Sequence, residues 1–344
     1  MTVDFMAALK DRVRANVQRV VFPESGEENI LRAARQAFDD GLALPILVGD
    51  PAELAAKAAE YGLTLDGMEV VDLGDPAVLA ELAEQCMALH PEISAKGAER
   101  KMRTPLNAAA MLVAAGRADA LVAGLQHATQ DVILASMTFI GMEEGISVPS
   151  SLFLMRVPGY EGPEGELIVF ADCGVAVAPD AAELADIAIA TAHTVRALLG
   201  WEPRVAMLSF STKGSGDHES VDRVLEALKM VREREPDLAI DGELQVDAAI
   251  VPAVAARKVP EGGPVAGRAN ILIFPDLNSG NIAYKCVQRF AKADAFGPLL
   301  QGFAKTASDL SRGSSVADIL GAVTMAGAHA GGLKAEANGT ELKR

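Results

Sequence analysis

Short aliphatic runs alternating with longer helical patterns constrain this chain to a fold built on parallel strands. Arg19-Val20-Val21-Phe22 precedes a helical pattern over 29–40, and Leu44-Pro45-Ile46-Leu47-Val48 precedes another over 51–61. The run from Ala118 to Ala123 repeats the strand pattern, and Gly124 ends it. Strand then helix, repeated, is the signature of an α/β sheet covered by helices. Near Ser151-Leu152-Phe153-Leu154-Met155-Arg156-Val157 the pattern changes. A turn rich in Pro and Gly separates that strand from Leu167-Ile168-Val169-Phe170, which predicts a hairpin and a change of domain. Beyond it the alternation resumes, with helices over 181–199 and 219–234 and strands over 205–208 and 270–274.

A chain of 344 residues, half of them hydrophobic and 4% aromatic, is long enough for two domains with aliphatic cores. Its 31 basic and 47 acidic residues give a net charge of -16, which argues against nonspecific partners such as nucleic acid or anionic membrane. Any anionic ligand must therefore meet a local cluster of cations. No apolar run free of charges and glycines looks long enough to span a bilayer. The start, Met1-Thr2-Val3-Asp4-Phe5, lacks the basic segment and apolar run of a secretory signal. Met1 to Asn16 reads as well as a packed amphipathic helix as a terminal helix for packaging in a bacterial compartment. Cys86, Cys173 and Cys286 have no metal spacing and cannot all pair, which suits a reducing cytoplasm. The histidines at 90, 127, 193, 218 and 329 lie far apart, and none sits in a metal motif, so no metal site is expected.

The densest chemistry lies in Ser311-Arg312-Gly313-Ser314-Ser315-Val316-Ala317-Asp318. Ser315 stands three residues before Asp318, the spacing of a capping box, so a helix is expected to start here. A helix N-terminus attracts anions, Arg312 could hold phosphate through a bidentate fork, and Asp318 could take a proton. Spacing alone favours Asp318 as a cap over Asp318 as a base. A second constellation runs from Pro275 to Lys285, where Asn278-Ser279-Gly280-Asn281 could cradle an anion beyond a strand end. A turn glycine and a cap explain the same residues equally well. Lys213-Gly214-Ser215-Gly216 has neither a dinucleotide fingerprint nor P-loop spacing and reads as a flexible loop. The two carboxylates of Asp241-Gly242-Glu243 read as scaffolding.

Together, Phe170-Ala171-Asp172-Cys173, Ser209-Phe210-Ser211-Thr212-Lys213-Gly214-Ser215, Asp241-Gly242-Glu243-Leu244-Gln245-Val246-Asp247, Pro275-Asp276-Leu277-Asn278-Ser279-Gly280-Asn281 and Asp309-Leu310-Ser311-Arg312-Gly313 closely resemble the phosphate acetyltransferase (phosphotransacetylase) family, the phosphate acetyl/butyryl transferases. The likeness runs from Val21-Phe22-Pro23-Glu24 to the last helix and is dense between Val169 and Asp318. It implies two α/β domains with mainly parallel sheets, like isocitrate and isopropylmalate dehydrogenases, with the active site in the interdomain cleft. The first domain would be discontinuous, 1–150 plus 300–344, and the second would run 151–299. The implied reaction is reversible: acetyl phosphate and CoA give acetyl-CoA and phosphate through a ternary complex. Carried onto matching positions, Asp318 would be the general base for the CoA thiol. Ser311 would bond the sulfur, and Arg312 would hold phosphate and carbonyl oxygens. A free thiol has a pKa of about 8.5, so a nearby carboxylate raises the fraction able to attack. Cys86, Cys173 and Cys286 are not needed as nucleophiles.

Substrate-binding expectations follow at Thr129, Asn278, Ser279, Gly280, Asn281 and Lys285, with Lys213, Lys285, Arg289, Lys305 and Arg312 as cations for CoA. The resemblance implies no tightly bound cofactor, CoA as co-substrate, a cytoplasmic setting and a homodimer. Where the family reads His-Ser-Thr-Ala-Asp followed by Arg, this chain has Ala128 for the Ser and Leu134 for the Arg, which implies an altered acyl pocket. His127 is expected to be structural. Two alternatives stay open: transfer of propionyl or butyryl groups, or a noncatalytic acyl-CoA-sensing domain.

Overall fold

Continuous burial turns the short aliphatic runs into central strands. Val20, Val21 and Phe22 are all sealed from solvent, as are Ala120 to Ala123, so both faces of these strands are covered. Such two-sided burial belongs to parallel sheets, and each large side chain so buried contributes about 1.5–3 kcal/mol. The computed structural model describes residues 5–339. They form two compact units: one takes the chain to Gly141 and resumes at Phe303, and the other runs from Met142 to Gly302.

The first unit holds α1 (Phe5–Ala15), β1 (Arg19–Phe22), α2 (Glu28–Asp39), β2 (Leu44–Val48), α3 (Pro51–Glu60), β3 (Glu69–Val71), α4 (Pro76–Leu89), α5 (Ala95–Met102), α6 (Pro105–Ala114), β4 (Ala120–Ala123) and α7 (Thr129–Ala135). A π-helical turn, Ser136–Ile140, extends α7. The second unit holds β5 (Ser150–Arg156), β6 (Leu167–Ala171), α8 (Ala181–Leu199), β7 (Arg204–Leu208), α9 (Glu219–Arg234), β8 (Ala239–Leu244), α10 (Val246–Ile250), α11 (Pro252–Lys258), β9 (Ile271–Ile273), α12 (Leu277–Phe290) and β10 (Asp294–Gln301). The chain then returns to the first unit with β11 (Thr306–Asp309) and α13 (Val316–Ala337).

In the first unit the strands run β3-β2-β1-β4-β11, all parallel. In the second the order is β10-β5-β6-β9-β7-β8. There β5 pairs antiparallel with both β10 and β6, the expected hairpin, and the remaining pairings are parallel. Local chemistry sets the helix ends. Asp50 caps α3 by accepting from Ala52 and Glu53 N–H ahead of a first-turn proline. Asp180 and Glu183 form a reciprocal box at the start of α8, and Gly200 closes it in the left-handed conformation, φ 67°.

By length and composition α13 could cross a membrane, but most of it is buried inside the protein. Small residues make that possible: a side chain at Gly327 would touch Val13 of α1, which itself is buried with Leu9. Residues 5–15 of the amino-terminal stretch are thus a packed amphipathic helix, while residues 1–4 lie outside the described residues. On β11, buried Thr306 bonds the ring of His329 from α13 at 2.9 Å, and burial pushes that imidazole down to about 4. His329 is therefore a neutral core histidine.

Candidate functional site

In a parallel sheet the loops leaving the carboxyl ends of the strands are where side chains can converge on a ligand. In the first unit, one buried carboxylate organises them. Glu24, two residues beyond β1, takes the Gly124 and Leu125 N–H groups on Oε2 at 3.0 and 2.9 Å. Its Oε1 takes the Gln126 and His127 N–H groups, each at 2.8 Å, and the His127 ring nitrogen Nδ1 at 2.8 Å. Burial alone would raise its pKa. The bonds from His127, Gln126 and Leu125 outweigh burial and hold Glu24 below the usual carboxylate range. His127 is thus tied to Glu24 through both its backbone N–H and its ring.

Asp309, the last residue of β11, stands beside this knot under opposite conditions. It is 6% exposed. Oδ2 accepts from the Thr129 hydroxyl at 2.6 Å, while Oδ1 has no partner among the described residues. Burial pushes its pKa up to about 6, the Thr129 bond pulling down and the Glu24 charge pushing further up. Gly124 is obligatory at this junction. It sits at φ 111°, and a methyl group there would lie 2.7 Å from Leu310 N and O and run into Asp309 Oδ1. Thr129, expected to bind substrate, thus directs its hydroxyl at a carboxyl of the protein itself.

Beyond Asp309 the chain makes a tight turn, closed by Ser314 N–H to Ser311 C=O at 2.9 Å and tied to α2 by Asn29 Nδ2 to Ser314 O at 3.1 Å. Ser311 and Arg312 are exposed on this turn. The capping box then opens α13: Asp318 N–H reaches Ser315 Oγ at 3.3 Å, and Ser315 N–H and Oγ–H both donate to Asp318 Oδ2, at 2.9 and 2.7 Å. Asp318 is exposed, and both contacts fall on one oxygen. Asp318, Ser311 and Arg312 therefore share one loop and the helix turn it feeds.

Asn278, Ser279, Gly280, Asn281 and Lys285 all belong to α12 in the second unit. Asp276 caps this helix, accepting Ser279 N–H at 2.8 Å, and the Ser279 hydroxyl donates to Asp276 O at 2.8 Å. A carboxylate of the chain thus occupies the place where an anion would be cradled. Asn281 Nδ2 donates to Cys173 O at 2.9 Å, and Gly280 lets α12 press on the backbone of Asp172, where any side chain would clash. Asn278 and Lys285 are exposed.

That backbone is fixed by the buried Asp172 carboxylate. Oδ1 accepts from Ser151 N–H, Ser151 Oγ and Gly174 N–H at 3.1, 2.6 and 2.9 Å, and Oδ2 from Val175 and Ala176 N–H at 3.2 and 2.5 Å. Glu243 repeats the device, accepting from Ser211 Oγ and Gly214 N–H at 2.8 Å each. The loop over 213–216 is consequently anchored, where sequence predicted flexibility. Lys213 donates to Asp241 Oδ1 at 2.5 Å and Lys305 to the C-terminal carbonyls of α6, Val113 O and Ala114 O, at 2.9 and 2.8 Å. Of the cations considered for CoA, Lys213, Lys285, Arg289 and Arg312 are exposed, Lys213 while bonded to Asp241, and Lys305 is half-buried. Cys86 and Cys173 are buried, and burial raises the thiol pKa of both.

The phosphate acetyltransferase of Thermoanaerobacterium thermosaccharolyticum is 42% identical over 320 residues, 92% of this chain and 97% of that protein. The crystal structure of a phosphotransacetylase from Streptococcus pyogenes matches with a TM-score of 0.88 at 38% identity, covering 96% of this chain and 99% of that one. A 4-hydroxythreonine-4-phosphate dehydrogenase from Klebsiella pneumoniae, TM-score 0.56 at 12% identity over 91% of this chain and 98% of its own, shares the fold alone. These matches define an acyltransferase on a mainly parallel α/β scaffold. The chain belongs to the phosphate acetyl/butaryl transferase family, which it matches over residues 4–327.

Proposed function

We propose that the protein transfers an acetyl group reversibly between CoA and phosphate. The observation that carries this reading is the exposed set of Ser311, Arg312 and Asp318 on one loop and helix turn, in a chain 42% identical to a phosphate acetyltransferase over nearly its full length. In the proposed reaction Asp318 takes the proton of the CoA thiol, and the thiolate attacks the carbonyl carbon of acetyl phosphate. The carbon–oxygen bond to phosphate then breaks, and the proton passes from Asp318 to the departing phosphate. Arg312 steadies the phosphate and the developing oxyanion, and Ser311 bonds the sulfur. Asn278 and Lys285 are assigned to CoA, with Ser279, Gly280 and Asn281 holding the turn that presents them. CoA enters as co-substrate, with no tightly bound cofactor.

Replacing Asp318 with Asn tests the assignment, because the amide keeps an acceptor for Ser315 but cannot take the proton. Turnover of acetyl phosphate with CoA should fall roughly a hundredfold or more, with little change in melting temperature. Normal turnover would remove Asp318 as base. A second reading, transfer of propionyl or butyryl groups, is favoured by Leu134 and Met137, 64% and 40% exposed on α7 and its π-helical extension. Comparing acetyl, propionyl and butyryl phosphate separates the two, and absence of turnover with all three would favour a sensing domain. The same family reading makes a cytoplasmic homodimer the expected form, which light scattering in solution checks.

A further inference from the structure

We propose that Asp309 is a positioning residue for acyl transfer: its bond from the Thr129 hydroxyl latches the start of α7 to the point where the loop carrying Ser311 and Arg312 leaves the sheet. The inference rests on the acyl-transfer reading of that loop.

Three observations support it. First, the two strand ends that meet here, β4 and β11, are already paired, with Leu310 N–H donating to Ala123 O at 2.7 Å. The Thr129–Asp309 bond extends that pairing from backbone to side chains at the place where both loops depart. Second, the site tolerates no slack, because Gly124 packs directly on Asp309 and on Leu310. A shift of Asp309 therefore moves Leu310 and, one residue later, Ser311. Third, Asp309 is a poor choice for fold stability alone. A buried carboxyl with one oxygen unpartnered costs free energy that an apolar residue of similar size would not.

The groups facing it explain how the latch responds to pH. From the β1 side the facing charge is Glu24, itself held by the His127 ring; α7 supplies the Thr129 hydroxyl, and the loop after β4 supplies only the Gly124 backbone. A hydroxyl donates more strongly to a carboxylate than to a carboxylic acid. The latch therefore tightens as Asp309 ionises, and kcat should rise with pH through about 6.

Three variants test this, read by steady-state kinetics with acetyl phosphate and CoA, by pH profile and by hydrogen exchange over residues 310–315. Thr129→Val removes the hydroxyl and keeps the shape. It should lower kcat roughly tenfold, leave KM for CoA within about twofold, abolish the limb near pH 6 and speed exchange in the loop several-fold. Thr129→Ser should restore all four properties. Asp309→Asn keeps an acceptor but neither the charge nor a titrating group, so kcat should sit at the low-pH plateau of wild type at every pH and the limb should disappear. A purely structural role would lower melting temperature without moving the pH profile. Unchanged loop exchange and an unchanged profile in Thr129→Val would overturn the latch. An inactive wild type whose loop exchange still responds to Thr129→Val would instead sink the acyl-transfer reading and leave the latch standing.

Discussion

Two loops that leave strand ends in different units show what a buried carboxylate can be used for. Asp172, just past β6, fills both oxygens with donors from Ser151, Gly174, Val175 and Ala176, and the loop it governs is fixed backbone. Asp309, at the end of β11, is nearly as buried yet holds a single hydroxyl, and the loop it governs displays Ser311 and Arg312 to solvent. Burial is the same in both places; the supply of donors differs. A saturated carboxylate builds a rigid wall, whereas an undersupplied one is left with a pKa near the pH at which an enzyme works, about 6 here. Within the first unit Glu24 makes the same point, since its five bonds hold it low although it is buried beside Asp309.

The largest effect expected from this contrast is on folding of the second unit. Asp172→Ala would take the acceptor from two buried donors on Ser151 and from the part-buried N–H groups of Gly174, Val175 and Ala176, at a cost of roughly 1–3 kcal/mol for each buried group left unpaired. Total stabilities are about 5–15 kcal/mol, so a large share of the stability should be lost, and a lowered midpoint of unfolding in urea should show it. A variant that melts like wild type would mean that the loop is held by its packing on Gly280 and α12, and the contrast with Asp309 would lose its physical basis.

Much of the frame was legible in sequence because it follows from periodicity and caps. The helices over 181–199 and 219–234, the hairpin of β5 and β6, and the Ser315–Asp318 box all appear where residue patterns put them. Strand β10 did not announce itself. Gly297 and Pro298 interrupt its apolar run, and its register against β5 shifts between Phe296 and Leu299, so the sequence carries no clear strand pattern there. The candidates Ser311, Arg312 and Asp318 are close in sequence, yet spacing alone favours Asp318 as a cap, and their assigned roles come from the family resemblance. The knots around them were not legible: Glu24 grips residues about a hundred positions away, and Thr129 meets Asp309 across 180. Nothing in either local sequence encodes the partner. The Asp276 cap could have been read from an acidic residue ahead of the α12 pattern, and it would have tempered the expectation of an anion cradle at Asn278–Asn281.

A smaller effect separates the two carboxylates by pH. Asp309 titrates near 6 in the fold against about 4 in an unfolded chain. Its folded-state value is raised, so its contribution to stability is fully present below about pH 4 and is lost as pH rises through about 6. The loss amounts to at most about 3 kcal/mol. Glu24 has the opposite sign, stabilising above the unfolded value and losing its contribution as pH falls through its lowered folded one. Asp309→Asn should therefore gain stability relative to wild type as pH is raised from about 4 to 7, by denaturant titration at each pH. A difference constant with pH would show that Asp309 does not titrate in this window.

The smallest effect probes the open side of the first unit. Leu134 lies on α7, five residues beyond Thr129, and 64% of it faces solvent. Leucine and arginine have nearly equal helix propensity, and an exposed substitution of this kind costs under about 0.5 kcal/mol, so Leu134→Arg should fold and melt as wild type does. If the outer face of α7 borders the phosphate that the proposed reaction assigns to Arg312, the added guanidinium should lower KM for acetyl phosphate about threefold, the scale of a solvent-screened ion pair, and the gain should shrink at high salt. The anchored loops of the second unit would be untouched by this change. An unaltered KM would place the anion elsewhere on the loop, closer to Arg312 than to α7, and would confine the catalytic surface of the first unit to the turn that Asp309 holds.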